Sequence, residues 1–150
     1  MFASSDIAFL VAPLVLGLGV PAVFSASGKN SSCGAEVRKS SLQPPGWAFG
    51  VVWTVLYALY GAASVLAWRA SGRRMTPALW ASGVLLAGLV AWPVVFFRFC
   101  APELAFAAIL SLLGLAVAVA FMMPARWPAL LSIPLVVWLS FASVLAFPLL

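Results

Sequence analysis

Few side chains in this sequence could carry out acid–base or metal chemistry. There is no histidine, and the carboxylates are limited to Asp6, Glu36 and Glu103. Asp6 and Glu36 lie outside the long apolar segments and Glu103 lies at the very start of one, so we expect no paired carboxylates and no proton relay within a membrane. Cys33 and Cys100 lack the short spacing of a metal-binding pair. The sequence therefore predicts no catalytic residue of these types, no metal site and no haem held by an axial histidine.

Tryptophan side chains are better candidates for a functional site. Trp53, Trp92 and Trp138 fall inside three different apolar segments. With the segments placed as described below, all three lie in the same half of the bilayer. A flat aromatic ligand could be held there by offset stacking on the indole rings.

Polar and aromatic residues form a stripe on the segment that contains Trp53. Trp53, Tyr57, Tyr60 and Ser64 are spaced i, i+4, i+7 and i+11, which places them on one face of a helix. The stripe fits either a ligand site or the core of a helix bundle, and for any single residue core packing is the simpler interpretation.

The composition predicts a membrane protein. Hydrophobic residues make up 65% of the 150, charged residues 7%, and the mean hydropathy is +1.17. A soluble domain would contain about a quarter charged residues. Within hydrocarbon every backbone polar group must be paired, so only helices or closed barrels can span a membrane. The apolar runs here are continuous rather than alternating, and this favours helices.

Five apolar segments set the predicted architecture. Each is close to the roughly 20 residues that span a bilayer. Residues 25–45 form the longest loop between them. We predict an all-α membrane protein, a bundle of five transmembrane helices in one domain over residues 1–150, with helices at about 7–24, 46–68, 77–97, 102–123 and 128–147.

The first segment has a rival interpretation as a secretory signal peptide, because Ser25, Ala26 and Ser27 are small residues suited to cleavage. The region before it has no Lys or Arg and contains Asp6, which is wrong for such a signal. We expect a retained first helix.

The net charge of +5 does not indicate nucleic acid binding. The basic residues lie between the apolar runs, where Lys and Arg usually anchor helix ends to lipid headgroups. With five spans, the 25–45 loop and the C-terminus share one side, here called side B, and the opposite side is side A. Four basic residues fall on each side, so the positive-inside rule does not orient the chain.

Two further patterns concern helix surfaces. Four tryptophans near predicted helix ends, Trp47, Trp68, Trp80 and Trp127, are typical of an interfacial belt. Small residues recur on one face of three helices and predict close packing, either within the bundle or in a homodimer. They are Gly50, Thr54, Ala58 and Gly61 in the second helix, Gly83 and Ala87 in the third, and Ala107, Ser111, Gly114 and Ala118 in the fourth.

The start of the second helix resembles a known family. Residues 44–57 read PPGWAFGVVWTVLY, similar to the W-x-P-P-x-W-V-F-x-x-V-W-T-x-L-Y signature of the tryptophan-rich sensory protein/translocator (TspO/MBR, peripheral benzodiazepine receptor) family. Residues 92–97, WPVVFF, resemble its W-x-P-x-F-F, and residues 133–142, IPLVVWLSFA, its L-x-P-Y-L-x-W-x-x-x-A.

This resemblance implies a five-helix bundle, often dimeric, with a ligand cavity beneath the long first loop. Family ligands include porphyrins, haem intermediates, synthetic benzodiazepine-site compounds and, in animals, cholesterol. Trp53, Trp138 and Ala142 match positions that line the cavity, and Trp92, Phe96 and Phe97 match positions near it. With Tyr57 from the stripe, the candidate ligand-binding residues are Trp53, Tyr57, Trp92, Phe96, Phe97, Trp138 and Ala142.

The expected function is that of a multi-pass integral membrane protein of the bacterial envelope or an organelle that senses or translocates porphyrin, haem or another flat hydrophobic molecule. No cofactor is required; a porphyrin or haem would be a ligand, and a lipid or sterol is a further candidate. Two alternatives stay open. One is an enzyme that degrades porphyrin in light, as the resemblance implies for some bacterial members, and the other is a non-catalytic membrane assembly or accessory protein.

Overall fold

The computed structural model describes residues 2–27, 45–99 and 101–147. Within these residues the chain is helical, which confirms the predicted all-α class. The predicted loop at 25–45 falls mostly on residues 28–44, outside the described part. The five helices are α1 (Ser4–Ser27), α2 (Gly46–Ala70), α3 (Pro77–Phe99), α4 (Pro102–Met122) and α5 (Arg126–Ala146).

Four helices are long and apolar enough to cross a membrane: Trp47–Ala70, Pro77–Phe96, Pro102–Met122 and Arg126–Ala146. The described apolar part of α1, Ser4–Val20, is shorter. Of the five predicted spans, four are therefore confirmed by length and composition, and the protein is an integral membrane protein.

The helices form a ring in the order α1, α2, α5, α4, α3. α1 packs on both α2 and α3, and α2 packs on α5, while α4 lies between α3 and α5. α2 and α3 contact each other much less, because α1 lies between them. The connection at residues 71–76 therefore passes the end of the bundle where α1 begins.

The backbones of α1 and α2 approach closely at Gly61. A Cβ atom at this position would lie 2.8 Å from the carbonyl oxygen of Leu10. By contrast, a Cβ at Gly50, Gly83 or Gly114 would meet nothing within 4 Å. The predicted small-residue faces thus have different roles: Gly61 packs inside the bundle, whereas the small residues singled out on α3 and α4 are exposed on its surface.

Three of the four tryptophans near helix ends are strongly exposed, as a lipid–water belt requires. Trp47 is 73% exposed, Trp80 65% and Trp127 67%. Trp68 differs, because it packs against the core and its ring centroid lies 5.3 Å from that of Phe9 on α1. Trp68 joins α1 to α2 rather than facing lipid.

Candidate functional site

Three of the residues singled out by sequence meet between α2 and α5. Trp53 stacks on Tyr57, with ring centroids 5.4 Å apart and an angle of 28° between the rings. It also contacts Trp138 of α5 edge to face, at 6.3 Å and 85°. Both arrangements are favoured by the quadrupoles of aromatic rings. Trp53 and Trp138, which were both expected in the same half of the bilayer, are therefore in direct contact.

Two phenylalanines that sequence reasoning did not single out extend this group. Phe49 contacts Trp138 at 5.7 Å and 74°, and Phe141 contacts Trp138 at 5.6 Å and 45°. Phe49 precedes Trp53 by four residues, so helical spacing alone could have placed it on the same face. We refer to Phe49, Trp53, Tyr57, Trp138 and Phe141 as the α2–α5 cluster.

Ala142 lies beside this cluster, one turn after Trp138 on α5. It is partly buried and packs against the core of the bundle.

Tyr57 is the most buried member of the cluster, with 3% of its surface exposed. Its ring lies against Gly17 of α1, and a Cβ atom at Gly17 would fall well inside contact distance of the ring carbons. α1 thereby forms one wall of the site, and glycine at this position is what allows the phenol ring to lie there.

Trp92 and Phe96 form a second group, where α3 meets α4. Their rings stack at 5.4 Å and 17°. The Trp92 Nε1–H donates a hydrogen bond of 2.8 Å to the carbonyl oxygen of Ala105. The described ring contact of Trp92 is thus with its own helix and its indole N–H is bound to α4, away from Trp53 and Trp138. The side chain of Phe97 lies outside the described residues.

The α2–α5 cluster contains a buried polar atom without a partner. The Trp138 Nε1 atom is buried and has no hydrogen-bond partner among the described residues. The exposed hydroxyl of Thr54 is already used, since it donates to the Gly50 carbonyl oxygen at 2.7 Å. The ionisable side chain of the cluster is the phenol of Tyr57. The cluster can therefore stack a flat ring and donate a hydrogen bond from the Trp138 Nε1–H.

An open apolar groove of about 330 Å³ lies elsewhere, between α1 and α3. None of the seven candidate ligand-binding residues lines it. Its walls are aliphatic or small side chains: Leu16, Val20, Gly83, Leu86, Ala87, Val90, Ala91 and Val94.

Comparison with known proteins shows the family of this chain. The model of the TspO/MBR family matches residues 9–150. The human translocator protein is 33% identical over 116 residues, which cover 74% of this chain and 69% of the human protein. The translocator protein homolog of Schizosaccharomyces pombe is 33% identical over 117 residues, covering 72% and 70%. The tryptophan-rich protein TspO of Archaeoglobus fulgidus is 29% identical over 135 residues, covering 89% and 88%.

Proposed function

Because the chain belongs to the TspO/MBR family, we propose that it binds a flat hydrophobic molecule of the porphyrin or haem type within the membrane, as a sensor or translocator. The α2–α5 cluster is the proposed site. The observation that carries this proposal is the placement of Trp53, stacked on Tyr57 and edge-on to Trp138.

The chemistry of the cluster fits such a ligand. A planar macrocycle stacks on indole and phenol faces, and each aromatic contact contributes about 0.5–1.5 kcal/mol beyond the burial of area. The unpaired Trp138 Nε1–H supports a ligand that presents a hydrogen-bond acceptor, because pairing a buried donor removes a penalty of about 1–3 kcal/mol.

Titration with protoporphyrin IX in detergent tests the proposal. Binding is followed by the Soret absorbance of the porphyrin, since fluorescence quenching alone would change whenever a tryptophan is replaced. Replacing both Trp53 and Trp138 with Phe reduces two stacking contacts and removes the Nε1–H donor. We expect saturable binding to wild type and an affinity at least tenfold lower in the double variant, which corresponds to about 1.4 kcal/mol.

A matched control is the double variant Trp80→Phe with Trp127→Phe. It also removes two indoles, but from exposed positions on side A. These variants should bind like wild type. Linear, non-saturating titration of wild type would contradict the proposal, and so would an equal loss of affinity in both double variants.

The alternative of light-dependent porphyrin breakdown stays a prediction. Illumination of the porphyrin-loaded protein, followed by absorbance, would show a new absorbing product if it is correct. The accessory-protein alternative predicts instead that the chain co-purifies with a larger membrane complex and shows no saturable porphyrin binding.

We also propose that α1 is the fifth span and that the outward small-residue faces of α3 and α4 support a homodimer. α1 packs along both α2 and α3, which supports a location inside the bilayer rather than on its surface. Labelling of single cysteines placed at Phe2 and Phe147 with a membrane-impermeant reagent tests the fifth span. Five spans require these two positions to react from opposite sides.

A further inference from the structure

A partly buried ion pair joins the first turn of α1 to the end of α2. The Asp6 side chain is 0% exposed, and its Oδ2 atom accepts a hydrogen bond of 2.8 Å from Arg69 Nη2. The same oxygen accepts a 3.0 Å hydrogen bond from the Ala3 N–H and lies 3.7 Å from Arg73 Nη2. Three groups therefore converge on one carboxylate oxygen at the side-A end of the bundle.

The turn after α2 brings the second arginine, Arg73, close to Asp6. Gly72 and Arg73 both have positive φ angles, 64° and 60°. Arg73 N–H closes the end of α2 with a 2.9 Å hydrogen bond to the Trp68 carbonyl oxygen. A non-glycine residue in this region is uncommon. Here the turn carries the chain past the start of α1 and leaves the Arg73 guanidinium beside Asp6.

Only one of the two Asp6 carboxylate oxygens has hydrogen-bond partners among the described residues. The other oxygen, Oδ1, is buried without a hydrogen-bond partner among the described residues. Both arginines are also open to solvent, with side chains 37% and 51% exposed, so the attraction is screened and the ion pair contributes little net stability. The best-attested use of a buried charged group is to fix the register of packed helices. We therefore infer that Asp6 sets the position of α1 along α2 rather than adding to overall stability.

The contacts between α1 and α2 continue from this ion pair to the candidate ligand site. Phe9 packs on Trp68, the Leu10 backbone lies against Gly61, and Gly17 lies under the ring of Tyr57. The residue numbers rise along α1 and fall along α2, as expected for two antiparallel helices. Gly17 is eleven residues, or about three turns, from Asp6. Any movement of α1 along its axis would carry a residue with a side chain towards the Tyr57 ring.

We propose that Asp6, Arg69 and Arg73 act as a positioning lock: they hold α1 lengthwise against α2 so that Gly17 stays beneath Tyr57 in the ligand site. This inference rests on the proposed function for its ligand readout. The apolar contacts between α1 and α2 are not directional, whereas the ion pair fixes a point near the start of α1 against a point at the end of α2.

The lock is electrostatically isolated. On α3, the other helix that packs on α1, residues 77–96 contain no ionisable side chain. Arg74 follows Arg73 and is exposed. Phe2 covers Arg69, whose guanidinium carbon lies 4.8 Å from the ring centroid. Among the described groups, Asp6 therefore faces Arg69 and Arg73, and its ionisation controls the lock.

The test combines protoporphyrin titration with amide hydrogen exchange of the whole protein in detergent. Asp6→Asn should lower protoporphyrin affinity by about three- to tenfold and speed exchange in residues 4–20, with α4 and α5 unchanged. If the residues act as a pair, Asp6→Asn combined with Arg69→Gln should bind no more weakly than Arg69→Gln alone. Glu103→Gln is the matched control, since it removes one exposed carboxylate at the start of α4.

Three results would overturn the lock. The first is unchanged exchange of α1 in Asp6→Asn. The second is weaker porphyrin binding without faster exchange of α1, which would mean that Asp6 acts on the ligand through its charge. The third is an equal effect of Glu103→Gln. If wild type shows no saturable porphyrin binding, the proposed function fails, while the exchange measurement still decides whether Asp6 holds α1.

Discussion

The phenol ring of Tyr57 lies directly on Gly17, so a residue of α1 without a side chain completes a site whose aromatic groups come from α2 and α5. Tyr57 is in turn stacked under Trp53. A displacement at Gly17 is therefore transmitted through one ring to the indole that is proposed to hold the ligand.

Replacing Gly17 with Ala should disturb ligand binding more than folding. The new methyl group would overlap the Tyr57 ring, and the ring must tilt or α1 must move away. We expect protoporphyrin affinity to fall by about five- to tenfold, measured by Soret titration. Gly19→Ala is the control on the same helix, because a Cβ there meets nothing within 4 Å. Equal affinities of the two variants would contradict this role of Gly17.

Replacing Gly61 with Ala should instead lower stability. The added Cβ would lie 2.8 Å from the Leu10 carbonyl oxygen, and backbone cannot move aside as a side chain can. We expect a loss of about 1–3 kcal/mol in the free energy of unfolding, as for other overpacked sites, measured by unfolding in SDS. Gly114→Ala, which meets nothing within 4 Å, should be neutral or stabilising by up to about 1 kcal/mol.

Trp92→Phe and Trp138→Phe should have opposite consequences. Trp92→Phe loses the 2.8 Å hydrogen bond to Ala105 that joins α3 to α4, so stability should fall by about 0.6–1.7 kcal/mol with little change in porphyrin affinity. Trp138→Phe removes a buried N–H that has no partner among the described residues. Trp138→Phe should therefore lower the free energy of unfolding less than Trp92→Phe does, and should lower porphyrin affinity more. Finding the reverse pattern would show that Trp92 belongs to the ligand site.

Acid should weaken the protein through Asp6. Hydrogen bonds from Arg69 and the Ala3 N–H, and the charges of Arg69 and Arg73, hold the pKa of Asp6 below its ordinary value. A carboxyl with a lowered pKa contributes stability above its unfolded pKa of about 3.9 and loses that contribution as pH falls through the folded value. We expect the melting temperature of wild type to drop below about pH 4 more steeply than that of Asp6→Asn. Parallel curves for the two proteins would refute this assignment.

The sequence predicted the helices well because continuous apolar runs in a membrane protein leave few alternatives. α2 was expected at about 46–68 and is found at Gly46–Ala70, and α4 was expected at about 102–123 and is found at Pro102–Met122. The pairing of Trp53 with Trp138 followed from the family motifs rather than from periodicity, which shows only that each residue shares a face with its own neighbours.

What the sequence could not provide is the order of helices around the ring. Trp92 was grouped with Trp53 and Trp138 because all three lie at the same depth, but its indole N–H is bound to α4. In the sequence, Asp6 is only an acid that precedes the first apolar segment, and its partner Arg69 is 63 residues away. Trp68 was assigned to an interfacial belt by its place near a helix end, and only the position of Phe9 shows that it faces α1.

The separation of Asp6 from Arg69 bears on how this protein is made. α1 is synthesised first, and its Asp6 carboxylate has neither arginine partner until the end of α2 and the following turn have been added. The contact that fixes α1 lengthwise against α2 therefore forms only after both helices have been made.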